Sequence, residues 1–303
     1  MKAGIYTSDG QKRYFVLSDR MEMLDWELFD ELRSPVRLRE AVSEAIKVPS
    51  NEAFCSTLRI IEDVIQESPD YLAKYVGAGR AWRSTLRLEP PVTPRTFICV
   101  GLNYRDHAIE AKMKIPTEPL LFAKTGNALS GQNFPVNIPD GSSLVDYEAE
   151  LAIVIGRSCS AVTRKNALGF VAGYMCGNDI SARDFQQQQS QWYRGKSADG
   201  FGPIGPWIVT PAEVGDPEKL SIRLRLNGSI LQDSNTSNLI FGIADLISYI
   251  SQTITLVAGD VILTGTPAGV GYTREPPIRL KSQDRLEVEI ERIGTLVNHV
   301  YQL

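Results

Sequence analysis

Only two histidines, His107 and His299, occur in the 303 residues, which argues against a zinc site built on several imidazoles. Cysteine is also scarce. Cys55, Cys99, Cys159 and Cys176 are widely spaced and form no CxxC, so reduced, buried thiols are expected in place of disulfides or a redox pair. No run reaches the roughly 18 apolar residues of a membrane span, and the start Met1-Lys2-Ala3-Gly4-Ile5-Tyr6 lacks the apolar core of a signal peptide. A cytoplasmic location with no membrane partner is therefore expected. Nor is there a basic block: 32 Lys and Arg face 36 Asp and Glu, a net charge of −4, which leaves no electrostatic footprint for nucleic acid. Small molecules are the expected partners.

Three familiar signatures fail on inspection. Gly195-Lys196-Ser197 resembles the end of a phosphate-binding loop, but Ser190 stands where that loop needs its first glycine. Ser197 fails as a nucleophile elbow because Asp199 replaces the second glycine. Gly77-Ala78-Gly79-Arg80-Ala81-Trp82 lacks the third glycine of a dinucleotide fingerprint and follows a predicted helix.

With 43% hydrophobic and 22% charged residues the chain has a globular composition without signs of disorder, and its length allows one large or two unequal domains. Residues 3–17 read as a hairpin around Ser8-Asp9-Gly10, followed by helical patterns over 35–47 and 51–77. Glu89-Pro90-Pro91-Val92-Thr93-Pro94 then suits neither a helix interior nor a central strand. This places a boundary between a small N-terminal α/β domain, residues 1–92, and a second domain, residues 93–303. Downstream, strands are expected over 96–100, 120–124, 147–155, 204–209, 222–226, 261–264 and 285–290, with helices near 164–172 and 239–252. Asn227-Gly228, between two apolar runs, signals a type I′ hairpin.

The stretch Asp146-Tyr147-Glu148-Ala149-Glu150-Leu151-Ala152-Ile153-Val154-Ile155-Gly156 sets two acids into an apolar strand. Residues two apart share a face. Ala149, Leu151, Ile153 and Ile155 form one apolar face, and Glu148 and Glu150 open the other, which continues as Ala152 and Val154. Two carboxylates on a buried strand need a cation, a proton or a basic group; the alternative is an edge strand whose acids point into water. A second short apolar segment ends at Asn178-Asp179. With Asp179 the two glutamates would supply three oxygen ligands to Mg²⁺ or Mn²⁺, leaving positions for water and substrate.

Gly101-Leu102-Asn103-Tyr104-Arg105-Asp106-His107-Ala108-Ile109-Glu110 follows a predicted strand, a common place for site residues. On a helix His107 and Glu110 lie three apart on one face, where the carboxylate would orient the imidazole as a general base; an exposed polar helix is the alternative. Lys196 could bind a carboxylate or stabilise an enolate, or be a solvated side chain. Leu263-Thr264-Gly265-Thr266-Pro267-Ala268-Gly269-Val270-Gly271 reads as a strand and a glycine-rich turn offering Thr266 and backbone N–H groups to an anion, or simply as a tight turn.

Taken in order and spacing, these segments, with Ser181-Ala182-Arg183-Asp184 and Gln186, resemble the fumarylacetoacetate hydrolase family over roughly residues 93–303. The resemblance implies an α+β fold, a mixed β-roll carrying a variable N-terminal domain, and a homodimer. It implies that Glu148, Glu150 and Asp179 bind Mg²⁺, Mn²⁺ or Ca²⁺, and that His107 and Glu110 sit on a lid over the substrate and activate water. Lys196 is then a catalytic cation, and Arg105, Gln186 and Thr266 contact substrate. The His and Glu pair favours the acylpyruvate hydrolase and oxaloacetate decarboxylase branch, acting on C–C bonds beside a carbonyl in small 2-oxo acids. An isomerase of aromatic catabolism, or a catalytically silent metabolite-binding protein, is the alternative. The segment 104–116 is expected to order over bound ligand.

Overall fold

The computed structural model describes residues 1–31, 34–75, 77–83 and 85–302. A mixed, mostly antiparallel sheet organises it. Its central strand is Ala149–Ile155, buried along its whole length because both faces are covered. Val171–Asn178 pairs antiparallel on one side, with Glu150 opposite Gly177, and Val261–Leu263 on the other. Beyond Val261–Leu263 come Phe97–Gly101 in parallel and then Leu120–Lys124. Beyond Val171–Asn178 lies Gly202–Val209. There the N-terminal hairpin joins the same sheet, through Lys2 opposite Val209 and Ala3 opposite Ile208.

A second sheet runs Ser229–Asn235, Ser221–Leu226, Arg285–Ile290, Gly294–Gln302 and Pro135–Ile138. Its alternation is regular: Ile222 and Leu224, with Leu286, Val288 and Ile290, point into the core, while their neighbours are half-exposed. Asn227 and Gly228 have φ of 51° and 84° between partners Leu226 and Ser229, the type I′ turn expected.

The helices Val36–Lys47 and Asn51–Glu67 bury Leu38, Val42, Phe54, Leu58 and Ile61 in a core shared with Ala152, Val154, Ile204, Ile208 and Leu263 of the main sheet. Ser50 caps the second of them by accepting the Ala53 N–H at 3.1 Å. That helix ends at Glu67, well before residue 77, and a short 3₁₀ turn, Tyr71–Tyr75, follows; Ser68-Pro69 stops it, since a proline disfavours helix in the residue before it. The helix expected over 239–252 is shorter, Ile243–Ser251. The one expected over 164–172 gives way after Ala167, because 171 and 172 already belong to the strand Val171–Asn178. The second half of the fold also holds Pro135–Ile138 and Gly294–Gln302, neither of which was expected as a strand. No helix among the described residues is long and apolar enough to cross a membrane.

Candidate active site

The alternation of the central strand brings the three acids together. Glu148 immediately precedes Ala149–Ile155, Glu150 lies on it, and Asp179 closes the neighbouring strand Val171–Asn178, its N–H donating to the Glu148 carbonyl at 2.9 Å. One carboxylate oxygen from each lies within 4.8 Å of the others, and all three side chains are buried. The strand is central, so the alternative of acids pointing into water from an edge does not apply.

Three buried cations surround the acids. Lys196 Nζ donates to Glu148 Oε2 at 2.6 Å and to Asp179 Oδ2 at 2.7 Å. Arg183 Nη2 donates to Glu148 Oε1 at 2.6 Å and to Asp146 Oδ2 at 2.8 Å. Lys124 Nζ lies 2.6 Å from Asp179 Oδ1, an ion pair without hydrogen-bond alignment, and donates to the carbonyls of Ile180 and Lys196. Burial alone would push the Glu148 carboxyl up, but Arg183 and Lys196 outweigh it and hold the group well below the usual range. Glu150 has no cation against it. Burial, reinforced by Asp179 and Glu148, pushes its carboxyl well up, outweighing the Gly265 N–H, at 2.7 Å from Oε2, and the charge of Lys196. Four carboxylates, counting Asp146, face three cations, so the cluster is one positive charge short at Glu150. All-oxygen donors, their mutual distance and that deficit fit a hard divalent ion. Glu148, Glu150 and Asp179 would hold it.

The dyad forms as expected. His107 and Glu110 lie on the helix Arg105–Glu110, with Nδ1 3.2 Å from Oε2. The other Glu110 oxygen accepts the Gly269 N–H at 3.0 Å, so the carboxylate that orients the ring is itself anchored. Burial would raise the Glu110 carboxyl, yet the bonds to His107 and Gly269 lower it on balance.

The glycine-rich turn does bind anions, but they are carboxylates of this chain. Gly265 serves Glu150, Gly269 serves Glu110, and the N–H groups of Gly271 and Tyr272 serve Asp146. Two of these glycines are obligatory. Gly265 has φ +99°, and a Cβ there would lie 2.8 Å from that of Asn103; Gly269 has φ +103°, and a Cβ would lie 2.2 Å from the Leu231 carbonyl oxygen.

A cavity of about 300 Å³ joins these parts, within the range of small-ligand sites. It is lined by the three acids, Lys196, His107, Gln186 and Thr266 together with Arg183, Thr273 and an apolar group around Phe122 and Trp192. Gln186 accepts from Arg183 Nη1 at 3.2 Å, and the Thr266 hydroxyl accepts from Gln232 Nε2 at 2.8 Å. Leu102 also lines it, with φ of 50°, a left-handed conformation that costs a non-glycine residue about 1–2 kcal/mol. Two expected residues do not line the cavity: Glu110, which bears on it only through His107, and Arg105, whose exposed guanidinium is tied to the Leu239 carbonyl. On a helix, 105 and 107 point about 200° apart, so the turn that presents His107 turns Arg105 away. The guanidinium at the site belongs to Arg183. Its signal was its place three residues before Gln186, one helical turn away on the helix Arg183–Gln187.

Fold and site together define a mixed α+β protein with a buried carboxylate cavity suited to a divalent cation. Residues 96–301 match the family model described as fumarylacetoacetate (FAA) hydrolase C-terminal, and the chain belongs to this family, near its acylpyruvate and oxaloacetate branch. Its members are enzymes, among them hydrolases, isomerases and decarboxylases. A 2,4-didehydro-3-deoxy-L-rhamnonate hydrolase of Sphingomonas sp. is 49% identical over 201 residues, 66% of this chain and 70% of that one. A mitochondrial oxaloacetate tautomerase of Xenopus laevis is 43% identical over 221 residues, 72% of this chain and 69% of that one. Over the full length, the crystal structure of a 5-carboxymethyl-2-hydroxymuconate delta-isomerase from Mycobacterium smegmatis is similar with a TM-score of 0.74 and 33% identity, covering 100% of this chain and 99% of that one.

Proposed function

We propose that this protein cleaves a C–C bond beside a carbonyl in a small 2-oxo acid, as an acylpyruvate hydrolase with oxaloacetate decarboxylation as a second activity. The observation that carries this reading is that an imidazole anchored by a carboxylate opens onto the same cavity as a carboxylate cluster one positive charge short. Mg²⁺ or Mn²⁺ held by Glu148, Glu150 and Asp179 would act as a Lewis acid for the 2-oxo group.

The chain's own residues do the rest. Thr266, Gln186 and Lys196 orient the 2-oxo acid head from the cavity wall. His107 takes a proton from the water that attacks the distal carbonyl, while Glu110 fixes the ring and stabilises the imidazolium. The C–C bond then breaks, its electron pair stays on the pyruvate fragment as an enolate, and a carboxylic acid departs. His107 returns the proton to the enolate carbon. For oxaloacetate, carbon dioxide leaves and no water is consumed, so His107 matters only for the final protonation.

A second reading is keto–enol interconversion of a 2-oxo acid, which needs a base at the same place but no water. The 43% identity to a protein named an oxaloacetate tautomerase favours it. Incubating the protein with Mn²⁺ and either acetylpyruvate or oxaloacetate, with and without EDTA, distinguishes the two. EDTA-sensitive release of pyruvate is expected from both substrates. Loss of enol absorbance without pyruvate or carbon dioxide would replace the hydrolase with the tautomerase, and inertness toward both acids would overturn both readings.

A further inference from the structure

Every cation among the described residues lining the cavity is already engaged. Lys196 is held by Glu148 and Asp179, Arg183 by Asp146 and Glu148, and His107 by Glu110. Arg105 and Lys124 do not line it. A 2-oxo acid head placed at the acids uses what polar contact there is, so a second carboxylate at the far end of a substrate would meet no unpaired positive charge. It would meet an apolar arm. Lys196 Nζ lies 5.1 Å from the centroid of the Phe122 ring, which in turn meets the Trp192 ring edge-on at 5.2 Å. Leu120 and Val100 extend this wall. Gly101 keeps it open, since a Cβ there would lie 3.1 Å from Leu120 Cδ2 and 3.4 Å from Trp192 Cζ3. From Lys196 outward the lining thus passes from charge to aromatic to aliphatic.

Resting on the 2-oxo acid reading above, we propose that Phe122, Trp192 and Leu120 form an acyl-group subsite that selects 2,4-dioxo acids with an apolar tail over 2-oxo dicarboxylates such as oxaloacetate. Each methylene moved from water into the arm should raise kcat/KM about fourfold until the chain reaches the mouth. A charged tail is rejected there, because a buried carboxylate without a partner is costly.

The test uses the full chain with Mn²⁺. First, kcat/KM is compared for acetylpyruvate, 2,4-dioxohexanoate, 2,4-dioxooctanoate and oxaloacetate. Second, calorimetry measures the affinity of N-methyl, N-propyl and N-pentyl oxamate, 2-oxo acid mimics that are not turned over. Both series should climb with chain length, with oxaloacetate lowest. Trp192→Ala should flatten the climb, Gly101→Ala should cut it off for the longest tail, and Leu120→Arg on the exposed rim should reverse the order in favour of oxaloacetate. Acetylpyruvate turnover with a flat or falling series overturns the subsite and leaves the hydrolase reading intact. A climbing oxamate series without turnover of any dioxo acid supports the subsite and overturns the hydrolase.

Discussion

Trp26 and Lys196 are both closed to solvent, at 0% and 2% exposure, yet their surroundings have nothing in common. Trp26 is sandwiched between Tyr14 and Phe54, with ring centroids 4.9 and 5.3 Å away, and even its indole N–H has no hydrogen-bond partner. Lys196 is gripped by two carboxylates. Around Trp26, stability comes from area removed from water and from ring packing, and no ligand alters it. Around Lys196, attraction between charges is set against the cost of desolvating them, and the balance is left open at Glu150. One region is finished by folding; the other waits for a cation and a substrate.

The contrast can be broken most forcefully in the aromatic region. Trp26→Ala should lower the unfolding free energy by about 3–5 kcal/mol, the usual cost of emptying a large aromatic site. The kcat of the molecules that remain folded should not change. Urea denaturation monitored beside a low-temperature activity assay checks this, and a large fall in kcat would show that the two regions are coupled. Lys196→Met should destabilise the protein by a similar amount, about 3–5 kcal/mol, because it strands Glu148 and Asp179. Here, unlike at Trp26, Mn²⁺ should restore part of the loss in thermal melts. Equal losses with and without the ion would refute the view that Lys196 substitutes for metal charge.

His107→Ala should leave the melting temperature nearly unchanged and slow acylpyruvate hydrolysis by roughly 100-fold or more, as expected when a general base is lost. Oxaloacetate decarboxylation should fall less. Equal losses on the two substrates would assign His107 a task common to both. The smallest effect runs the other way. In metal-free protein Glu150→Gln should raise the melting temperature by roughly the 2–4 °C that 1 kcal/mol gives a sizeable domain. Glu150 is held above its ordinary range, so the stability of its neutral form is complete below the unfolded-state value and is lost as pH rises toward the folded one. The advantage of the amide should therefore grow as pH climbs through the range above the ordinary carboxylate value, and Mn²⁺ binding by calorimetry should vanish. A lower melting temperature across that range would mean that Glu150 already has a cation partner.

What could be read from sequence was local or periodic. The alternation that starts at Glu148 revealed a buried strand with two acids, the spacing of His107 and Glu110 revealed a dyad, and Asn227-Gly228 specified its turn without reference to anything distant. The partners that decide the site's charge were hidden. Lys124 reaches Asp179 from the end of an expected strand and Arg183 reaches Glu148 from a segment without periodicity, but both roles depend on long-range pairings, Phe97 opposite Lys124 and Ser181 opposite Asp146. Arg105 was misplaced for the same reason: its position beside His107 in sequence says nothing about which side of a short helix faces the cavity. Pro135–Ile138 escaped because it begins at a proline, and Gly294–Gln302 because its polar residues broke the expected alternation.

The pairing of Lys2 with Val209 also governs time. A ribosome adding roughly 5–20 residues per second needs about 10–40 s to make the intervening chain. For that interval the hairpin Lys2–Ser8 with Gln11–Leu17 has one bare edge, and the helices packed on it lack the part of their core that Ala152, Val154, Ile204 and Ile208 supply. Bare strand edges recruit other strands. The nascent chain therefore carries an adhesive edge through most of its synthesis, and yield in the cell should respond more to translation speed and chaperone supply than to any change at the active site.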